Sequence, residues 1–435
     1  MEHELLIPAQ GTKERIVIIG GGFGGLRLAE DLDMNQYQVV LIDKNNYHQF
    51  QPLFYQVATS GLESSDISFP FRKIFQKKTD FHFRLCEAQS IDSSNKILNT
   101  SAGKLHFDYL VIATGCTTNF FGHNEYNDFV YTLKSTSESL QLRNQILQSL
   151  EDTLNKEVPG FSSELNYVIV GAGATGVELA GALGEMRRFV FPKDYPDMDL
   201  SIMNIILIDA APRILMNLGE EDGLKAQSYL QKLGVKIITE VSVTSCDPEK
   251  VILSDGQTIY TNNIFWVAGV TGNKIDGLSN CEWGKGNRIV TNQGLKVSGT
   301  DSIFAIGDIG LQTEVEKGRG YPQVAQVAIQ QAKYLARKFN RKELNSSDKF
   351  VYKDLGTMAT VGRNVAIAHV GKYKFYGAFA WFMWCFVHLR SIMGVKNKIF
   401  IFINWVWNYF TYNLSLRLII KPNPSKKKTG ATGQK

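Results

Sequence analysis

The sequence is poor in cysteine. Its 435 residues hold five, Cys86, Cys116, Cys246, Cys281 and Cys385, with no C-x-x-C pair. That scatter argues against a disulfide scaffold, a structural zinc site and a dithiol redox centre. No run of 18 or more apolar residues occurs, so no ordinary membrane span is expected. The opening segment lacks a long apolar stretch, and no secretory signal is expected. Acid is missing from the tail: Leu355 to Lys435 contains twelve Lys and Arg but no Asp or Glu. The net charge of the chain is +5, so the +12 of this tail leaves −7 on the first 354 residues. The tail also holds four of the six tryptophans, Trp381, Trp384, Trp405 and Trp407. A basic, Trp-rich tail on an acidic body predicts a surface for an anionic partner, a membrane and not nucleic acid. The remaining composition, 44% hydrophobic and 20% charged, is that of a globular chain. Its length allows two or three domains at roughly 100–200 residues each.

What is present begins with a repeat. The strand-like run Arg15–Ile19 leads into glycines at 20, 22 and 25, with Phe23 and Gly24 between the last two. Glycine in a G-x-G-x-x-G turn permits the tight bend, the approach of a pyrophosphate to the backbone and close helix packing. A second apolar run, Val39–Ile42, ends in Asp43, where a ribose-binding acid is expected. The pattern recurs at Tyr167–Val170, followed by Gly171, Gly173, Ala174, Thr175 and Gly176. A further run there, Ile205–Ile208, ends in Asp209. Residues 189–203 look like an insertion in this second copy, with Pro192 and Pro196 stopping the helix. Each copy has a downstream strand and small-residue turn, Leu110–Ile112 with Ala113-Thr114-Gly115, and Phe265–Val267 with Ala268-Gly269. Two copies of one plan predict an α/β fold with two Rossmann-like domains and two dinucleotides. Ile303–Ile306, before Gly307-Asp308, reads as a strand returned to the first domain, which is therefore discontinuous. The expected division is 1–125 with 286–350, then 126–285, then a C-terminal module over 351–435.

These motifs, in this order, resemble the two-dinucleotide flavoprotein reductases. Adding Tyr47–Ala58 (YHQFQPLFYQVA), Ala325–Gln331 (AQVAIQQ) and the aromatic-basic tail, the chain is similar to type II NADH:quinone oxidoreductases over nearly its whole length. The resemblance implies FAD in the first fold and NADH in the second. A hydride would pass to the flavin and two electrons to a membrane quinone, without proton pumping. It implies FAD contacts from the first fingerprint, Asp43, Lys44, Gln56, Ala88, the Ala113–Gly115 turn, Asp308, Gln326 and Val327. NADH contacts would come from the second fingerprint, Asp209, Ala268 and Gly269. Glu178, Gln326 and Gln330 would lie where nicotinamide and quinone meet the flavin. Pattern alone reads the glutamines as a solvated helix face and Glu178 as a favourable charge near a helix N-terminus. Pro322 would open the helix carrying Ala325 to Gln331. Asp209 favours NADH over NADPH; Arg213 weakens that preference.

Two other readings compete. A sulfide:quinone reductase needs a redox cysteine pair beside the flavin; only Cys116 is suitably placed. A flavoprotein that senses NADH without turnover is the other. In the tail, residues 375–387 form a short uncharged run, and 399–420 a helix with a polar stripe at Asn404, Asn408, Thr411 and Ser415. Such helices lie in a membrane interface or bury a homodimer contact. The final segment after Ile420 reads as a disordered basic extension. The expected location is peripheral, on the cytoplasmic face of the inner membrane.

Overall fold

The computed structural model describes residues 3–155, 164–315, 318–411 and 416–420. Two parallel sheets form its centre. The first has the spatial order Ile303–Ala305, Tyr109–Ile112, Glu14–Ile19, Tyr37–Asp43, Phe81–Leu85. The second has the order Asn263–Trp266, Leu165–Val170, Met203–Ile208, Val235–Ile238. The inner strands are buried on both faces, which is why they read as continuous apolar runs without alternation. Ile19 pairs with Ile42 on one side and Ile112 on the other; Val170 pairs in the same way with Ile208 and Trp266. The expected return strand is present, paired through Ala305 to Ile112. Behind it, the helix Ala325–Asn340 packs on the first fingerprint helix, Phe23–Asp31. The Tyr37 hydroxyl donates to Phe339 O (2.9 Å), and Asn340 bonds both Asp31 and Asp33 backbones.

Several details differ from the sequence reading. Pro192 does not stop the second fingerprint helix. Ala174–Glu185 continues through a π-helical turn, Met186–Val190, into Phe191–Asp194, with Pro192 in the first turn of that last piece. A missing N–H costs nothing there. Pro322 lies ahead of its helix, which starts at Ala325 after an extended Val324. The C-terminal module is not helical throughout. It opens with a three-stranded antiparallel sheet, Thr357–Thr360, Ala366–Val370 and Tyr373–Tyr376, and then has two helices, Gly377–Ser391 and Val395–Thr411. The second helix covers only part of the expected 399–420, because 416–420 are non-helical. Ser415 and the segment after Ile420 lie outside the described residues.

Apolar packing and a buried carboxylate help to join the module to the body. Trp384, Ile392, Ile401 and Trp405 enter the main core beside Val177 and Leu183 of the second fingerprint helix. Asp222, fully buried, accepts from the Tyr376 hydroxyl (2.9 Å) and the Gly219 amide (2.9 Å), with the His369 imidazole 3.0 Å away. The opposite faces of the helices are open: Phe379 is 62% exposed, Phe386 67%, Trp407 57% and Phe410 77%. Asn404 and Asn408 are half-buried, so these stripe positions turn toward the body with Ile401 and Trp405, while Trp407 and Phe410 turn away.

Candidate functional site

Both fingerprints are built alike. Gly20 and Gly171 have φ of +98° and +107°, which favours glycine, and each touches its downstream turn at Ala113 or Ala268. A Cβ on Gly25 would meet Gly20 O at 1.8 Å, and one on Gly176 would meet Gly171 O at 1.9 Å. By contrast, a Cβ on Gly22 or Gly173 would meet nothing within 4 Å. The outer face of each turn is thus open, as a cradle for a pyrophosphate requires. The two acids also occupy equivalent places. Asp43 accepts the Gly21 amide (2.6 Å), and Asp209 accepts the Ala172 amide (2.5 Å). Burial pushes the Asp43 carboxyl up, against the pull of the Gly21 and Asn45 amides.

Around the first cradle lie Lys44, Ala88, Asp308 and Val327, whereas Gln56 and Gln326 bond elsewhere, to Tyr55 and Trp405 and to the 355–356 backbone. Lys44 follows Asp43 at the surface; the Cys86 amide bonds Asp43 O, which brings the chain to Ala88. Gly24 faces Ile306 and Ala328, close to Gly307-Asp308, and Val327 is buried in the same helix turn. This donor set and the open turn fit a bound FAD. His48 was missed. It is buried, neutral, and bonded through Nδ1 to Gly21 O (2.9 Å), so Gly21 is held at both its N–H and its C=O. Desolvation lowers the His48 imidazole to about 4, outweighing that hydrogen bond. In the second copy Arg213 reaches five carbonyls between Ile214 and Gly219 and shapes that loop.

Glu178, Gln326 and Gln330 converge on one stretch of chain, 353–363. The Gln326 amide donates to Gly356 O (2.8 Å) and accepts the Leu355 amide (3.1 Å); Gln330 is paired both ways with the Lys353 backbone. Glu178 accepts the Thr360 amide at 3.3 Å, with the Thr360 hydroxyl at 3.5 Å. A line of polar groups then runs outward. Thr360 Oγ1 meets the Tyr55 hydroxyl (2.9 Å), Gln56 donates to Tyr55 (3.0 Å), and Trp405 Nε1 donates to Gln56 (2.8 Å). This line joins the second fold to the last described helix.

Tyr55 divides two cavities. The smaller, about 70 Å³, is lined by Glu178, Thr175, Lys134 and the 51–55 segment. The larger, about 100 Å³, is lined by Gln56, Glu185, Met186, Arg363, Trp381 and Trp405 among others. Burial pushes the Glu178 carboxyl up to about 8, outweighing its bonds to Thr360. It pushes Glu185 up to about 7, against the Arg363 amide and guanidinium. Glu185 was not anticipated. The available signal was its spacing: seven residues after Glu178 puts both on one face of a helix.

Cys116 lies beside the first cradle, with its thiol 3.0 Å from Asp308 Oδ2. Burial, then the Asp308 charge, pushes it up to about 12. Such a thiol stays protonated and is a weak nucleophile. All five cysteines are free, and the polar neighbour of the Cys116 thiol is Asp308 and not a second thiol.

Comparison with known proteins agrees with this architecture. The pyridine nucleotide-disulphide oxidoreductase family model matches residues 14–332, and the NDH2 C-terminal domain model matches 355–411. The chain is similar to a solved NDH2 of Plasmodium falciparum in complex with NADH. The TM-score is 0.85 at 20% identity, covering 94% of this chain and 100% of that one. A sulfide:quinone oxidoreductase of Aquifex aeolicus shares the fold at TM-score 0.69 and 19% identity, over 92% of each chain. The sequence is 32% identical over 416 residues to a type II NADH:quinone oxidoreductase of Mycobacterium tuberculosis, covering 92% of this chain and 89% of that protein. With that identity sustained along almost its full length, the chain belongs to the type II NADH:quinone oxidoreductases.

Proposed function

We propose that this chain oxidises NADH at the second cradle and reduces a quinone in the larger cavity beside Tyr55. FAD, when bound, supplies the two-electron relay between them. The first fold would hold it through the Gly20–Gly25 turn, Asp43, Lys44, Gln56, Ala88, the Ala113–Gly115 turn, Asp308, Gln326 and Val327. The second fold would hold NADH through the Gly171–Gly176 turn, Asp209, Ala268 and Gly269. Asp209 binds a free ribose hydroxyl and repels a phosphate, and Arg213 is occupied with its own loop, so NADH is preferred to NADPH. Glu178 sits in the smaller cavity, across Tyr55 from the quinone, as the acid on the nicotinamide side. Gln326 and Gln330 act through the segment they hold, positioning Thr360 against Glu178. The observation that carries this reading is the line from Trp405 through Gln56, Tyr55 and Thr360 to Glu178, with a cavity on either side of Tyr55.

The tail supplies the membrane side. Among the described residues no helix is long and apolar enough to cross a membrane. Exposed Phe379, Phe386, Trp407 and Phe410, with Lys396 and Lys398 nearby, suit a helix pair lying in the interface. This reading seats the protein peripherally on the cytoplasmic face of the inner membrane, with the larger cavity opening toward the lipid. A homodimer through the same helices would compete for these faces. The test is an Ala182→Phe variant, which fills the larger cavity. NADH should still bleach its flavin, while reoxidation by a long-chain quinone should slow at least tenfold. Unchanged reoxidation would refute the assignment of the cavity.

A further inference from the structure

Glu185 is a buried carboxyl that the proposed reaction has not used. It lies on the second fingerprint helix two turns beyond Glu178, about 10 Å along the axis at 1.5 Å per residue. Its side chain reaches the larger cavity, while Glu178 reaches the smaller one. Its Oε1 accepts the Arg363 amide. Across the cavity stand Trp381 and Trp405 from the two tail helices and Gln56 from the first fold. Among the described residues of this lining Arg363 is the only other charged group, and its guanidinium also bonds Asn408 O. Arg187 and Arg188, next on the same chain, bond carbonyls of Met203 and Lys232. Glu178 is the remaining acid on this helix face. The cavity wall is otherwise apolar or neutral, a setting that favours an uncharged carboxyl.

Quinol formation needs two electrons and two protons. NADH supplies both electrons and one proton; the second proton must come from water. We propose that Glu185 is the acid that delivers this second proton to the quinone oxygen in the larger cavity. The inference rests on the reading of that cavity as the quinone site. In the step, the Glu185 O–H bond breaks and the quinone O–H bond forms. The carboxylate left behind is held by the Arg363 amide and guanidinium, and water on the open side of the cavity restores its proton. A carboxyl raised to about 7 is well matched to this task, since a general acid works best near the ambient pH.

The test uses the intact, FAD-loaded protein and the Glu185→Gln and Glu185→Asp variants. A short-chain quinone is titrated against tryptophan fluorescence, because Trp381 and Trp405 line the cavity. Quinone-driven reoxidation is then followed across neutral pH. Infrared spectra across the same pH range report the protonated carboxyl directly. We expect quinone to quench fluorescence in the parent and in Glu185→Gln with similar affinity. Reoxidation in Glu185→Gln should be slower by about 10²-fold, the lower end for general acid catalysis. Its pH profile should be flat, where the parent falls above about 7, and a carboxyl band titrating near 7 should vanish. Glu185→Asp should recover part of the rate with a shifted profile. Parent-like reoxidation in Glu185→Gln, or no titrating band lost, overturns the proposal; so does a Glu185→Asp profile no better than that of Glu185→Gln. Absence of quenching in the parent refutes the cavity as the quinone site, which is a separate failure.

Discussion

The two dinucleotide folds are the same device with different surroundings. Both have the same strand order, the same left-handed first glycine and the same acid-to-amide bond. The first is closed by a returning strand and helix, Ile303–Ala305 and Ala325–Asn340. Among the described residues the second has no such fifth strand; its fingerprint helix packs against the C-terminal module and carries Glu178 and Glu185. The repeated parts make nucleotide cradles. The acids that differentiate the site occur where the copies diverge.

That comparison breaks most sharply at the last fingerprint glycine. Gly25→Ala drives a methyl into Gly20 O and should cost more than about 4 kcal/mol, a loss of this size marking a severe core clash. The purified variant should be colourless or unfolded by thermal denaturation. Gly176→Ala makes the same clash in the other copy. It should spare flavin content but abolish saturable NADH binding in titration calorimetry.

The junction between the second fold and the module gives the next effect. Asp222→Ala removes a buried charged acceptor from Tyr376 and Gly219, at a cost of about 3 kcal/mol. Burial alone would raise the Asp222 carboxyl, but the hydrogen bond from Tyr376 and the nearby His369 and Lys374 leave it lowered. Its contribution is therefore present above the unfolded carboxyl value of about 3.9 and is lost as pH falls through the folded one. Denaturant midpoints measured from neutral to acid pH should fall more steeply in the parent than in the variant.

Asp209→Ala sharpens the comparison of the two acids. Losing a hydrogen bond to a charged group, about 1.5–3 kcal/mol, should weaken NADH use about tenfold or more and narrow its advantage over NADPH. Equal kcat/KM for the two nucleotides in the parent would contradict the role of Asp209. The smallest effect is on the outer face. Trp407→Ser with Phe410→Ser should shift vesicle binding at high salt, while charge-dependent binding at low salt persists. Buried aromatics contribute a salt-insensitive term of roughly 1.5–3 kcal/mol each, and basic side chains about 1 kcal/mol each that salt screens. Binding to anionic vesicles that disappears entirely in salt in the parent would refute the interfacial helices.

The sequence made the two folds legible because glycine turns and doubly buried strands leave dense local signals. The return strand was readable for the same reason: Ile303–Ile306 is apolar on both faces. The module's sheet was not, since Thr357–Tyr376 is short, interrupted by Gly362 and Gly371, and stabilised by packing on the body. Gln326 and Gln330 were legible as important only through resemblance, because their partners lie 30 and 23 residues further along the chain. His48 and Glu185 were missed because their meaning is tertiary: one is fixed by a distant peptide, the other by a cavity that three parts of the chain enclose.

The most direct measurement is anaerobic addition of NADH and then quinone to the purified protein while the flavin absorbance is recorded. The account predicts bleaching by NADH and rapid return of colour on adding quinone. Bleaching without reoxidation, or bleaching by sulfide that Cys116→Ser abolishes, would contradict it.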